Sequence, residues 1–174
     1  MKFDIHTNDY FVDDNNNTSL IYGESSSYDI YNIFKKIISN YNIDNVIDIG
    51  SGCGKLILFL SHKFNNIYFE GIEIQKNRYD KAISLLNDTN LTNLYFFNDN
   101  FKDTYFGNYD LLFCCNTVFN DEDNNFLYNK ILNEFNGVFI LFTKYYKFIP
   151  FFKEEIIINS SWSNKTPIYI YFKQ

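Results

Sequence analysis

Apolar residues recur along this chain in two rhythms, and their alternation predicts its architecture. From Ser26 onward, Tyr28, Tyr31, Phe34, Ile37 and Ile38 fall at three- and four-residue steps, the period of a helix with one apolar face. Ser26 or Ser27 can cap its start. Beyond it, short apolar runs alternate with helical segments. The runs at 45–49, 67–74, 93–98, 109–116 and 137–143 read as strands. The segments 54–64, 77–87 and 122–135 read as helices. Tyr79, Ala82, Ile83 and Leu86 share a face of the second, and the third carries Phe126, Leu127, Ile131 and Leu132. The last two runs, 154–159 and 167–173, lie close together with no helix between them, which predicts a hairpin at the sheet edge. Strands alternating with helices imply an α/β fold, a mostly parallel sheet with helices on both faces. Unbroken apolar strands fit burial on both sides. Pro150 and Pro167 are expected at boundaries, outside strand interiors. Residues 1–19 are polar and asparagine-rich, an irregular arm on what otherwise reads as a single domain over 1–174.

The first strand, "NVIDI", runs into "GSGCGK". Gly50, Gly52 and Gly54 let the chain turn tightly and approach a ligand closely. The following helix points its first amides at the same place. The spacing G-x-G-x-G is not the dinucleotide pattern, and a carboxylate at Asp48 opposes a pyrophosphate. A cation suits it better. Glu73 ends the second strand about twenty residues on, where a carboxylate takes ribose hydroxyls. A ribose with a positively charged attachment describes S-adenosyl-L-methionine. A nicotinamide or flavin site fits less well, and a tight turn with two ordinary carboxylates is the plain alternative.

Composition narrows the setting. The formal net charge is −6. That field disfavours nonspecific nucleic-acid binding, and no lysine run suggests a local basic patch. No apolar run approaches membrane-spanning length, and the polar, acidic start does not read as a targeting signal. An intracellular protein, cytoplasmic or nuclear, is expected. The three cysteines lack metal or disulfide spacing, and adjacent Cys114 and Cys115 should face opposite sides of a strand. His6 and His62 have no metal-like partners, and no metal site is expected. Asparagine, isoleucine, lysine, phenylalanine and tyrosine dominate and Arg78 is the only arginine, a bias that AT-rich genomes, as in some protists and large DNA viruses, produce.

The order strand, acid, glycine loop, helix, strand, acid resembles the seven-stranded, Rossmann-like class I S-adenosylmethionine-dependent methyltransferases, whose last strand is antiparallel. Within them, "YGESSSYDI" (22–30), "VIDIGSGCGK" (46–55), "GIEI" (71–74), "NTVF" (116–119) and "SWSNKTPIYIYF" (161–172) resemble the non-SET histone lysine methyltransferases, the disruptor-of-telomeric-silencing family. The resemblance spans about residues 20–174. It implies a lid of Tyr22, Gly23 and Glu24 over the methionine end of the cofactor. It implies a cofactor site of Asp48, Gly50, Gly52, Gly54 and Glu73, with Asn100 and Phe101 beside the adenine. Asn116 and Phe119 would border the point of methyl transfer, with Asn116 orienting an amine. Trp162 and Tyr169 or Tyr171 would wall a lysine channel. The implied partner is a protein presenting a lysine, such as a histone; the sequence does not fix an oligomeric state. Lys55 stands where the family has glutamine, Asn100 where it has aspartate, Thr166 is an added residue before Pro167, and the family's basic extensions are missing.

Each of these residues also has a plain structural reading. Trp162 could be core, Tyr169 and Tyr171 could merely pack, Asn116 could cap a turn, and Tyr22 to Glu24 could be a turn. The rival functions are methylation of a nucleic acid or small molecule, or a cofactor-binding scaffold without catalysis. "NTVF" lacks the prolines of the amino-adenine enzymes of this fold.

Overall fold

The computed structural model describes residues 25–174. Helix α1 spans Ser27–Ile38 and starts where Ser26 Oγ accepts the Asp29 amide. Its buried stripe is Ile30, Ile33, Phe34 and Ile37. Tyr28, expected on that stripe, is exposed; it lies in the first turn and packs edgewise on Tyr31, not into the sheet. The chain then alternates: β1 (Asn45–Ile49), α2 (Lys55–Lys63), β2 (Tyr68–Ile72), α3 (Lys76–Asn87), β3 (Leu94–Phe97) and β4 (Leu111–Cys114). Two short 3-10 turns, η1 (Phe101–Asp103) and η2 (Phe106–Asn108), join β3 to β4. A third, η3 (Asn116–Val118), leads to α4 (Asp121–Glu134) and β5 (Gly137–Leu141). A fourth, η4 (Tyr146–Phe151), precedes β6 (Phe152–Ile158) and β7 (Thr166–Lys173).

The seven strands form one sheet in the order β3-β2-β1-β4-β5-β7-β6. All neighbours from β3 through β5 are parallel, and β7 is antiparallel to both β5 and β6. The expected hairpin is present, but its second strand is not at the edge. β7 inserts between β5 and β6. Pro167 lies inside β7, opposite Ile157, not outside the strand as expected. It is tolerated there because the β5 ladder ends at the Leu141–Tyr169 pair, two residues short of it.

Side-chain alternation splits the core into two layers. On one face Val46, Phe69, Phe113 and Ile140 pack under α1, α2 and α3, with Phe34, Leu58 and Ala82. On the other, Ile47, Leu112 and Phe139 pack under α4 and η4, with Leu127, Ile131 and Phe148. Cys114 joins the second layer and Cys115 packs against the first, so they do face opposite sides; among the described residues no cysteine forms a disulfide. Lys173 Nζ reaches the Ile131, Leu132 and Phe135 carbonyls and closes the C-terminal end of α4. Strand order reverses at β1, whose neighbours β2 and β4 lead away in opposite directions. A crevice therefore opens beyond the carboxyl ends of β1 and β4.

Candidate active site

The glycine loop lies at that crevice. Gly50, Gly52 and Gly54 all adopt left-handed backbone, with φ of 76°, 58° and 76°. The first two turn residues are anchored to β2, since the Gly50 and Ser51 amides both donate to the Ile72 carbonyl at 2.9 Å. Gly54 also meets a steric limit: a Cβ there would lie 2.4 Å from the Phe96 ring. Glu73, just past β2, closes the loop from the other side. Its two oxygens accept the Gly52 amide at 2.9 Å and the Gln75 amide at 2.7 Å. The two acids expected to define the site are thus brought to one loop.

Both acids are buried. Asp48 sits between Gly71 and Phe113 of the neighbouring strands. Beside it runs an apolar crevice, lined by Phe34, Leu56, Ile57 and Phe69 among others, too narrow to admit water. Burial first, and repulsion from Glu73 second, push the Asp48 carboxyl up from 3.8 to about 7. Among the described residues its carboxylate accepts no hydrogen bond. Burial also raises Glu73, opposed by the Gln75 amide, the Arg78 charge and the Gly52 and Ile74 amides. A second orphan lies in the loop: Ser51 Oγ is buried without a partner. A pocket with an unpaired carboxylate, an open hydroxyl and a second carboxylate with spare lone pairs fits a cationic ribonucleoside. These residues therefore suit S-adenosylmethionine.

The adenine-side residues fall at the same opening. Asn100 caps η1, its Oδ1 accepting the Lys102 amide at 3.0 Å, so its side chain shapes the turn. Phe101 stacks on Phe119 with ring centroids 5.6 Å apart, and the Phe119 ring lies against Gly50. Phe126, from α4, meets Phe101 edge-on at 6.1 Å. Lys102 and Asp123 pair at 2.7 Å beside them and fix η1 to the start of α4. Phe126 and this ion pair were not foreseen, because β3 and α4 are remote in sequence.

Asn116 is placed differently from expectation. It is fully buried, and its amide points inward. Its Oδ1 accepts the Phe142 amide at 3.0 Å, while Nδ2 donates to Asn124 Oδ1 at 2.7 Å and Tyr128 Oη at 3.2 Å, with Thr143 Oγ1 also in reach. It therefore ties the ends of β4 and β5 to α4 and is not free to orient an amine. The plain reading, a cap on the turn after β4, is not what the amide does either, since its bonds run to Phe142, Asn124 and Tyr128. Asn124, Tyr128 and Thr143 carried no sequence signal, being ordinary polar residues on separate elements.

The channel-wall residues do not converge. Tyr171 is a core residue, buried and stacked on Phe139 at 4.8 Å, and burial pushes its hydroxyl up to about 12. The reason is register: Tyr171 pairs directly with Phe139 in mid-sheet. Tyr169 lies two residues nearer the crevice end, opposite Leu141, half-buried with Lys144 Nζ over its ring. Trp162 is not core but 45% exposed, resting against Phe142. Tyr22, Gly23 and Glu24 lie outside the described residues. Ser25, next in the chain, bridges Ser160, two residues from Trp162.

Solved structures share this architecture. Magnesium protoporphyrin IX methyltransferase from Synechocystis PCC 6803, with bound S-adenosylmethionine, is 12% identical and superposes with a TM-score of 0.67 over 85% of this chain and 79% of that one. The fold is that of the class I methyltransferases. An RNA methyltransferase from Salinibacter ruber with S-adenosylhomocysteine shares this methyltransferase fold at 11% identity and a TM-score of 0.62, covering 82% of this chain and 90% of that one. An O-methyltransferase of a Brevibacillus brevis polyketide multienzyme, again with S-adenosylhomocysteine, is 20% identical with a TM-score of 0.56. There the match covers 66% of this chain and 39% of that one. A family model described as "Putative methyltransferase" matches residues 43–109, from the approach to β1 through the turns after β3. No curated protein matches the chain.

Proposed function

We propose that this protein is an S-adenosylmethionine-dependent methyltransferase. The observation that carries the reading is the pair of buried carboxylates at the glycine loop, one bound to the Gly52 amide and the other without a hydrogen bond among the described residues. A sulfonium cofactor presents a methyl group for in-line displacement by a nucleophile. The chain's own contribution is placement and exclusion of water. Asp48 faces the cation, Glu73 holds the ribose while fixing the loop, and Asn100 and Phe101 stand beside the base.

For the acceptor, a protein lysine is the reading the motif resemblance supports. Phe119, Tyr169 and the exposed Trp162 are the aromatic groups left to line its approach. Aromatic surroundings lower the amine's pKa from about 10.4 by desolvation and tolerate methylated ammonium groups. The inward amide of Asn116 favours a second reading, an RNA or small-molecule acceptor, because it removes the group assigned to orient an amine. Solved neighbours of this fold include an RNA methyltransferase and enzymes named for porphyrin and polyketide chemistry.

Calorimetry with S-adenosylmethionine and S-adenosylhomocysteine tests the cofactor. Asp48→Ala and Glu73→Ala should each abolish binding, and near-native affinity in both refutes the site. Radiolabelled methyl transfer into nucleosomes, free histones, cell lysate and RNA then separates the acceptors. Label on lysine supports the first reading; label confined to RNA or small molecules overturns it. Binding without transfer to any of them marks a scaffold.

A further inference from the structure

Residues 144–153, "KYYKFIPFFK", repeat with a period of three. Tyr145, Phe148 and Phe151 pack against the second core layer. Tyr146, Ile149 and Phe152 are exposed, the first two by 69% and 64%. Lys144, Lys147 and Lys153 share the remaining positions with Pro150, and all four are exposed. A 3-10 helix has three residues per turn, so positions three apart stack along one edge. η4 therefore turns Phe148 and Phe151 to the core and stacks Tyr146 over Ile149 outside, with Lys147 beside them; Lys144 precedes the helix, and Phe152 and Lys153 open β6.

The lysines are unspent. Among the described residues none of the three is in an ion pair. On the η4 side Lys144 rests 5.1 Å from the Phe152 ring and Lys147 6.0 Å from that of Tyr146, whereas Lys153 turns away, 5.4 Å from Phe172 of the first core layer. No acid lies between 144 and 153, in a chain of net charge −6. The nearest carboxylate in sequence, Glu154, is paired with Lys36 at 2.6 Å.

We propose that this edge docks on an anionic lipid bilayer, with Tyr146, Ile149 and Phe152 entering the interface and Lys144 and Lys147 meeting the headgroups. An apolar strip bordered by lysines is the arrangement that binds an anionic membrane surface, and tyrosine suits the headgroup level. A single-stranded nucleic acid fits less well, because it needs successive open ring faces. Here Tyr145 is already stacked on Tyr128 at 4.2 Å, and Phe152 lies under Lys144. An acidic peptide would look for directional partners, yet the segment has no serine, threonine, asparagine, glutamine or acid. The edge follows β5, at the same end of the sheet as the glycine loop. Docking would hold the crevice near the bilayer surface.

The test is vesicle co-sedimentation of the full chain, without cofactor or acceptor, so it stands apart from the methyltransferase assignment. Phosphatidylcholine vesicles with and without phosphatidylserine should differ, with binding to the anionic ones only. Lys144→Gln/Lys147→Gln should weaken that binding about thirtyfold, at the usual contribution of a lysine near an anionic surface, and Lys153→Gln should weaken it less than either. Ile149→Ser should weaken it about tenfold with no change in charge. Thermal melts matching the parent's show that the exposed substitutions leave the fold intact. Equal binding to both vesicle types, none to either, or indifference to the lysine variant overturns the proposal. So does tighter, lysine-dependent binding of a single-stranded oligonucleotide or an acidic peptide than of the vesicles.

Discussion

Asp48→Asn isolates the cost of holding a carboxylate ready for a cation. The Asp48 carboxyl is raised from 3.8 to about 7, chiefly by burial. Between those values the folded chain keeps a proton that the unfolded chain has released. Its contribution to stability is therefore full below pH 3.8 and is lost as pH rises through about 7. At about 1.4 kcal/mol per pKa unit, that gap amounts to about 4 kcal/mol above pH 7. Asparagine has nearly the same shape and cannot ionise. The variant should match the parent near pH 4 and exceed it at pH 8 by up to about 4 kcal/mol, or about 10 °C in melting temperature. Urea denaturation of both proteins from pH 4 to 8, without cofactor, measures the difference directly. Carboxylates other than Glu73, whose repulsion with Asp48 the substitution also relieves, titrate in both chains and cancel from it. The same substitution should remove affinity for S-adenosylmethionine. A variant no more stable at pH 8, or a stability gap that does not change with pH, would refute the account of Asp48.

Gly54→Ala meets both a left-handed backbone and the Phe96 ring, so it should destabilise by roughly 2–4 kcal/mol in denaturant melts and abolish cofactor binding. Asn116→Ala removes a buried amide bonded to Phe142, Asn124 and Tyr128. It should lower stability by about 1–3 kcal/mol, and an unchanged melt would show that the amide is not holding β4 to β5. Phe101→Ala should weaken cofactor binding about tenfold by calorimetry while shifting the melt only slightly, since Phe101 is half-buried at the crevice.

The fold was legible where a pattern is local. Spacing alone set α1, β1 and α3, and the left-handed backbone at all three loop glycines follows from G-x-G-x-G. Asp48 and Glu73 were legible because each ends a strand that pairs with the other in parallel register. The position of β7 was not legible: adjacency in sequence announces a hairpin but not which strand takes the inner place. Asn116 and Tyr171 were misjudged for a related reason. Whether a polar tip faces a crevice or the interior depends on partners such as Thr143 and Phe139, which arrive from β5. Lysines three apart do not form a run, so the cationic edge of η4 is visible only once the segment is known to wind as a 3-10 helix.

The inner place of β7 constrains how the molecule is made. Among the described residues β6 has no strand to pair with except β7, which follows it in the chain. During synthesis, β6 must wait as an unmatched ribbon until the ribosome releases its successor, and β5 keeps an open flank for the same interval. Chaperones or chain collapse must shield that margin. A premature stop codon between β6 and β7 would cost the sheet two strands, not one.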